Sequence, residues 1–402
     1  MTSTGSLRTR DLTTDDLEAA FDVRSKSFGR LDPSMGDWWN DIQQQTITEH
    51  RSIGVFDGGR LLAQGKVRSY QQFWGGRPMP MGGMAGVVVA PEARGRGVGS
   101  QLMTALALRS RELGDLVSAL YPATIPIYRA LGWEVAGAQH RVSLSAGALR
   151  TLGGKAVPLR AATESDVEPF LKNLRDGYAA HRANGPKLPS RVEAKEHLTD
   201  EGMMSYLTDG GHVVYKFRQE DLAVSYLSAD TPEIARALWS VVGSGSSIAK
   251  KVLAYVAPDD PIHLLLPEEA ANETHVKRWM FRVMDAPKAV AARGFSPAVA
   301  GSAALVLEDP LLPGNSGSWR LEVFTGTRRA HSHRDDQCQP APWSQRLRCP
   351  VRRHAGPRAA HRRPCLGRRP GRGRSARCGV RRPRGIPARV LLTLTLTLTL
   401  TP

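Results

Sequence analysis

The chain is 402 residues long, room for two or three domains, and carries a formal charge of +17 at pH 7. Nineteen arginines, no lysine and two acids lie after residue 324, which leaves 36 basic and 36 acidic residues before it, so a nucleic-acid-binding body is not expected. All four cysteines (Cys338, Cys349, Cys365, Cys378) lie in the same tail, which excludes a disulfide framework and a cysteine nucleophile from the first 337 residues.

The N-terminus, Met-Thr-Ser-Thr-Gly-Ser-Leu-Arg, lacks the apolar core of a signal peptide, and no apolar run reaches bilayer length. A cytoplasmic chain without a membrane partner is expected. From Leu7 to Leu17 a strand end passes into a helix start. Thr13 is placed to cap it, with Asp16 three residues on, and Leu17, Ala20, Phe21 and Val23 face a core. The segment Arg51–Leu62 alternates around the hairpin signal Gly58-Gly59, and Ala63–Phe73 makes the next strand.

Residues 87 to 99 read Val-Val-Val-Ala-Pro-Glu-Ala-Arg-Gly-Arg-Gly-Val-Gly. A strand (Gly86 to Ala90) turns at Pro91 into the loop Arg94–Gly99, and a helix starts near Ser100 with Leu102, Met103, Ala105, Leu106 and Leu108. Strand, glycine loop and helix N-terminus together make an anion site from backbone N–H groups. Gly95, Gly97 and Gly99 let the main chain approach a pyrophosphate, and Arg94 and Arg96 add charge. The spacing Arg-x-x-Gly-x-Gly is neither the dinucleotide fingerprint nor a kinase-type loop.

Next come a short apolar strand, Leu116–Tyr121, a short helix Ile125–Leu131 stopped by Gly132, and a strand Glu134–Ser145 expected to close the first sheet. Of the two tyrosines here, Tyr121 is expected to pack within its strand. A second start echoes the first: Arg10, Thr13 and Asp16 recur at the same spacing as Arg160, Thr163 and Asp166. A second domain over 156–285 would hold strands at His212–Phe217 and Ala223–Ser228, a helix at Pro232–Val242 and a strand at Ile262–Leu266. It has no Arg-x-x-Gly-x-Gly, and its run Gly243-Ser-Gly-Ser-Ser follows a helix, where it serves as a stop. A third piece, 286–324, opens with a short helix from Pro287 and has strands at Ala304–Glu308 and Trp319–Phe324. After it the composition turns to Arg, Pro and Gly and ends in Leu-Thr repeats, so residues 325–402 are expected to be disordered. That stretch resembles a GC-rich coding region read out of frame.

The loop at 94–99, the segment Ile127-Tyr128-Arg129-Ala130-Leu131-Gly132-Trp133, the cofactor-less second domain and Trp279-Met-Phe-Arg-Val-Met-Asp285-Ala-Pro287 together resemble the Eis (enhanced intracellular survival) family of GCN5-related N-acetyltransferases (GNAT). The resemblance covers residues 1 to about 324. It implies an α/β (α+β) chain: a catalytic GNAT domain over 1–152, a second GNAT-like domain, each with a mixed sheet flanked by helices, and the start of a sterol-carrier-like domain. It further implies homohexamers and acetyl transfer from acetyl-CoA, without a metal, to an amine-bearing small molecule such as an aminoglycoside or to a peptide lysine. By match to the family pattern, Val87, Val88 and Val89 would hold the acetyl and pantetheine arm through backbone groups. Gly95, Arg96, Gly97, Val98, Gly99 and Ser100 would hold the pyrophosphate, Ala123 and Thr124 would lie beside the cofactor, and Tyr128 would be the general acid.

Direct transfer needs a neutral amine, a polarised thioester and a proton for the departing thiolate. A phenol can deliver that proton, and a preorganised backbone N–H of Val87–Val89 would polarise the carbonyl, worth roughly 3 kcal/mol. The family takes the amine's proton with its C-terminal carboxylate. Pro402, at the end of an arginine-rich tail, does not match that role, which leaves water or an acidic side chain. Trp38 and Trp39 are candidates either for aromatic walls of an amine pocket or for core packing. Two other readings stay open: a non-catalytic acyl-CoA sensor, and nucleic-acid binding without sequence specificity through the tail. A zinc site from the tail cysteines and histidines has no Cys-x-x-Cys pair to support it.

Overall fold

Two threonines open two helical layers in the same way. Thr13 donates from its backbone N–H and its hydroxyl to Asp16 (2.8 and 3.0 Å), and Arg10 grips the same carboxylate through both guanidinium arms (2.7 and 2.8 Å). Thr163 and Arg160 repeat this on Asp166, with contacts of 2.6–2.9 Å. The arginine pairs hold both carboxyls below the usual carboxylate range. The sequence echo is thus a structural repeat, each copy satisfying the orphan donors at a helix start.

The computed structural model describes residues 7–153, 157–266, 271–323 and 330–334. The first half runs β1 (Leu7–Asp11), α1 (Leu17–Phe28), α2 (Gly36–Thr48), β2 (Ser52–Asp57), β3 (Arg60–Trp74), β4 (Arg77–Val89), α3 (Val98–Glu112), β5 (Val117–Leu120), α4 (Ile125–Ala130), β6 (Glu134–Ser145) and α5 (Ala146–Arg150). The second runs β7 (Arg160–Ala161), α6 (Val167–Ala180), β8 (Lys187–Leu188), α7 (Arg191–Thr199), β9 (Met203–Thr208), β10 (Gly211–Arg218), β11 (Asp221–Ala229), α8 (Pro232–Gly243), β12 (Lys251–Tyr255), α9 (Ile262–Leu265) and β13 (Ala271–Val283). Then come α10 (Ala286–Ala292), β14 (Gly301–Leu307), β15 (Gly317–Val323) and β16 (Ala330–Arg334).

The expected mixed sheets form one continuous thirteen-stranded sheet, in the order β1-β2-β3-β4-β5-β13-β6-β12-β11-β10-β9-β7, with β8 beside β3. One core packs α1 and α3 against β2–β4, with Leu102, Met103, Leu106 and Trp133 sealed at its centre. A second packs α5 and α8 on β10–β12, and a third seats Phe73 of β3 among side chains of α6 and α7, joining the halves.

Three expectations need correction. Glu134–Ser145 does not close the first sheet alone, because β13 lies between β5 and β6, antiparallel to both (Met280 opposite Leu120, Lys277 opposite Gln139), and β6 also pairs with β12. The boundary drawn at 152–156 is therefore crossed by the sheet. The apolar run Ile262–Leu266 is a helical turn, started by the Ile262 N–H donating to Asp260 (2.9 Å), and the strand after α8 is Lys251–Tyr255. Ile262 and Leu266 face the core four residues apart while Leu264 is exposed, a helical spacing that a five-residue run hides. Finally, β16 pairs antiparallel with β15 inside the stretch expected to lack structure. The rest of that tail, residues 325–329 and 335–402, lies outside the described residues. No helix among the described residues is long and apolar enough to cross a membrane.

Candidate active site

β4 is the strand on which the site is built. It pairs with β5, in parallel, only from Met81 to Gly83, then continues six residues to Val89 hydrogen-bonded on the β3 side. The main chain from Met84 onward therefore leaves β5, and a cleft opens between the two strands. A bulge sits in the departing part: Gly86 and Val87 oppose the single Gly65, and Gly86 has φ +59°. Val88 turns into the core, while Val87 and Val89 are half-buried at the cleft.

The split is pinned from below. Trp133, wholly buried, donates from Nε1 to the Ser118 hydroxyl (3.3 Å), which donates to the Gly82 carbonyl (2.8 Å). Gly132 before it has φ +94°, and a Cβ there would sit 1.7 Å from the Arg282 guanidinium, which is paired to Asp309 (2.7 Å). So β13 and the third piece of the chain brace the turn after α4.

At the end of β4 the loop takes the conformation its glycines permit. Gly95 and Gly97 have φ of +77° and +78°, and no atom lies within 4 Å of where a Cβ would be. Gly97 caps α3, whose first intrahelical N–H bond runs from Gln101 to the Gly97 carbonyl (3.0 Å). The N–H groups of Val98, Gly99 and Ser100 have no partner within the helix. Gly99 serves close approach instead: a Cβ there would lie 3.2 Å from Ile127 of α4 and 3.4 Å from Val89. Loop, strand end and α4 therefore converge on Gly99. Open space, positive φ and orphan donors fit a diphosphate. The hairpin between β2 and β3 steadies the loop through Arg96–Asp57 (3.3 Å) and Arg60–Glu92, exposed pairs of little energetic weight. Arg96 is thus partly committed to Asp57, whereas Arg94 is exposed with no ion pair among the described residues.

Tyr128 lies in α4 as expected, 8% exposed, against the core that holds Val98, Leu120 and Trp133. Its hydroxyl has no hydrogen-bond partner among the described residues, and burial pushes the phenol's pKa up, which keeps it protonated at neutral pH. Thr124 is the N-cap of α4, and it and Ala123 are exposed in the turn after β5. Tyr121 is not packed in the strand: it follows the end of β5, half exposed, beneath the Lys277 ammonium (4.3 Å). The two tryptophans divide. Trp39 packs edge-on to Phe21 (5.1 Å) against the core, and Trp38 is 38% exposed.

Sequence reasoning passed over Lys66. It lies on β3 opposite Ala85, 8% exposed, and a Cβ on Gly86 would be 3.2 Å from its Cε and 4.0 Å from its Nζ. The ammonium is 6.0 Å from the Trp39 ring centre and has no hydrogen bond or ion pair among the described residues. Burial pushes its pKa down to about 7, with repulsion from Arg68 adding to the effect. The spacing Gln64-x-Lys66-x-Arg68 puts these residues on one face of β3, a signal legible only once the bulge is known.

The chain is similar to known proteins. The family described as acetyltransferase (GNAT) domain matches residues 8–136, and another of that description matches residues 175–283. The crystal structure of a GCN5-related N-acetyltransferase from Kribbella flavida is similar at 43% identity and TM-score 0.81, covering 83% of this chain and 85% of that one. An N-acetyltransferase of Streptomyces griseus is 28% identical over 325 residues, 70% of this chain and 75% of its own. The N-acetyltransferase Eis of Mycobacterium tuberculosis is 26% identical over 270 residues, 62% of this chain and 65% of its own.

Proposed function

This chain belongs to the GNAT N-acetyltransferases as an Eis-like member carrying two such domains, and on that premise we propose that it moves acetyl from acetyl-CoA directly to a primary amine. It is an acyl-CoA-dependent N-acetyltransferase. Acetyl as the acyl group, the amine class and the residue roles are our reading. The convergence of Val89, Gly99 and Ile127 at the mouth of the β4–β5 cleft carries it, because the glycine loop, a strand edge not paired to β5 and the helix of Tyr128 meet there.

In this reading the amides of residues 95–100 bind the diphosphate, with help from Arg96. The unpaired edge of Val87–Val89 orients the pantetheine arm and offers an N–H to the thioester carbonyl. Ala123 and Thr124 border the arm on the α4 side. Tyr128 donates the proton that the leaving thiolate takes. The acceptor is an aminoglycoside-like amine or a peptide lysine, with exposed Trp38 at the pocket's edge. The resemblance carries an expectation of homo-oligomers, and we propose residues 286–323 as the start of a separate third unit.

Thiol release from acetyl-CoA, measured with the full chain against aminoglycosides, diamines and lysine peptides, tests the reading. Amine-dependent release with acetylated product is expected. Tight uptake of acetyl-CoA with no release in any mixture would instead favour a non-catalytic acyl-CoA sensor.

A further inference from the structure

β3 presents two faces. Gly65 and Val67 look toward α3 and β4, where a Cβ on Gly65 would meet Leu106 and one on Gly82 would meet Val67. Gln64, Lys66 and Arg68 look the other way, toward α1 and α2: Gln64 donates to the Ala20 carbonyl, and Gln43 of α2 donates to Gln64 (3.2 Å). Lys66 therefore lies on the α1–α2 face with its Cε and Nζ beside the β4 bulge at Gly86. Gly86 is exposed and carries no side chain, so at this position β4 sets only its backbone against the Lys66 Cε and Nζ.

A buried lysine normally has a carboxylate partner. The elements beside Lys66 carry charged groups in Glu18, Asp22, Arg24 and Lys26 of α1, Asp37 and Asp41 of α2, Arg60 and Arg68 of β3 and Arg77 of β4, with Glu193 of α7 beyond Arg68. Only Arg68 acts on the amine, and it repels. Asp22 is paired to Lys26 (2.6 Å), and Glu193 takes Arg68 (3.0 Å) and Lys187 (3.5 Å). The unpaired ammonium is held in an apolar setting that favours its neutral form.

We propose that Lys66 is the general base of the acetyl transfer, taking the proton of the incoming amine at the β4 bulge; this rests on the site assignment above. The acceptor ammonium gives one proton to the neutral Lys66 Nζ. Its freed lone pair attacks the thioester carbon, the C–N bond forms and the C–S bond breaks. The thiolate takes the Tyr128 proton, and the second N–H proton returns to the phenolate. Lys66 then releases its proton to water, so the net products are amide, CoA thiol and one proton. A base with its midpoint near neutral pH is half competent at pH 7, where an unburied lysine is protonated almost throughout.

Full-length chain and the variants Lys66→Gln, Lys66→Met and Lys66→Arg are compared by acetyl-CoA titration calorimetry, thiol release from pH 5.5 to 9 and intact mass. Expected for all three is a kcat loss of about 10²–10⁴-fold with acetyl-CoA affinity within about twofold of the unaltered chain. The limb near pH 7 in kcat/KM should disappear, and Lys66→Arg should give no rescue, because a guanidinium keeps its proton. Lys66→Met, which removes the buried charge, keeps folding out of the comparison and should melt no lower than the unaltered chain. Full rate in Lys66→Gln, a persisting acid limb, or stoichiometric acetylation of Lys66 itself overturns the role. An unaltered chain that takes up no acetyl-CoA overturns the underlying site assignment instead.

Discussion

Tyr128 and Lys66 differ in how far a single residue can be read from its neighbours. Tyr128 sits in a short segment whose pattern resembles a known one, so position and role could be expected together. Lys66 lies in an ordinary strand, and the role proposed for it depends on Gly86 of the neighbouring strand and on its having no ion pair among the described residues. If Tyr128 supplies the leaving group's proton, Tyr128→Phe lowers kcat by about 10²–10³-fold with acetyl-CoA affinity unchanged. Thiol release paired with calorimetry checks this, and unimpaired turnover removes Tyr128 from the chemistry. His212 on β10 is a different case. It is 1% exposed, packs edge-on to Phe170 (4.6 Å), and neither ring nitrogen has a hydrogen-bond partner among the described residues. Burial holds its pKa at about 3, far below the unfolded value near 6.5, so the unfolded chain binds the proton first. Its titration therefore costs no stability above pH 6.5 and lowers stability progressively as pH falls from 6.5 toward 3. His212→Leu should raise stability at neutral pH by roughly 1–3 kcal/mol and flatten the decline between pH 6.5 and 3, as read from denaturant midpoints. An equally steep decline in the variant would show that other groups set it.

Among the elements, the β4–loop–α3 unit was legible because everything that shapes it is local: a strand run, a proline turn and glycines at the two loop positions, 95 and 97, where φ is positive. The two helix starts at Thr13 and Thr163 were legible for the same reason, with cap, carboxylate and arginine all within seven residues. The insertion of β13 between β5 and β6 was not, because strand pairing across some 140 residues leaves no periodic trace in either strand. Nor could four apolar residues and a histidine at Ile262–Leu266 decide between strand and helix. The turn after α4 shows what β13 adds: Gly132 is left-handed and Arg282 fills the space a side chain would need. Gly132→Ala should cost roughly 1–3 kcal/mol through strain at positive φ and displacement of the buried guanidinium. Guanidinium chloride melts measure it, and an unmoved midpoint contradicts the brace.

At the scale of the whole molecule, the sheet is the unit of folding. Residues 1–152 include β5 and β6 but lack the strand that joins them, and β6 keeps its other edge for β12. An isolated 1–152 fragment should therefore show no cooperative thermal transition by circular dichroism. A sharp transition with native-like ellipticity would mean that β13 is dispensable. The central claim, that the loop 94–100 grips the diphosphate of an acyl-CoA, thus has to be tested on the full chain. Gly97→Asp suits the purpose, because aspartate is among the residues that tolerate positive φ and nothing lies within 4 Å of the new Cβ. The fold should survive while a carboxylate enters the cradle. Calorimetric titration with acetyl-CoA should show saturable uptake by the unaltered chain and none by Gly97→Asp at an unchanged melting temperature. No uptake by the unaltered chain, or equal uptake by both, would contradict the account.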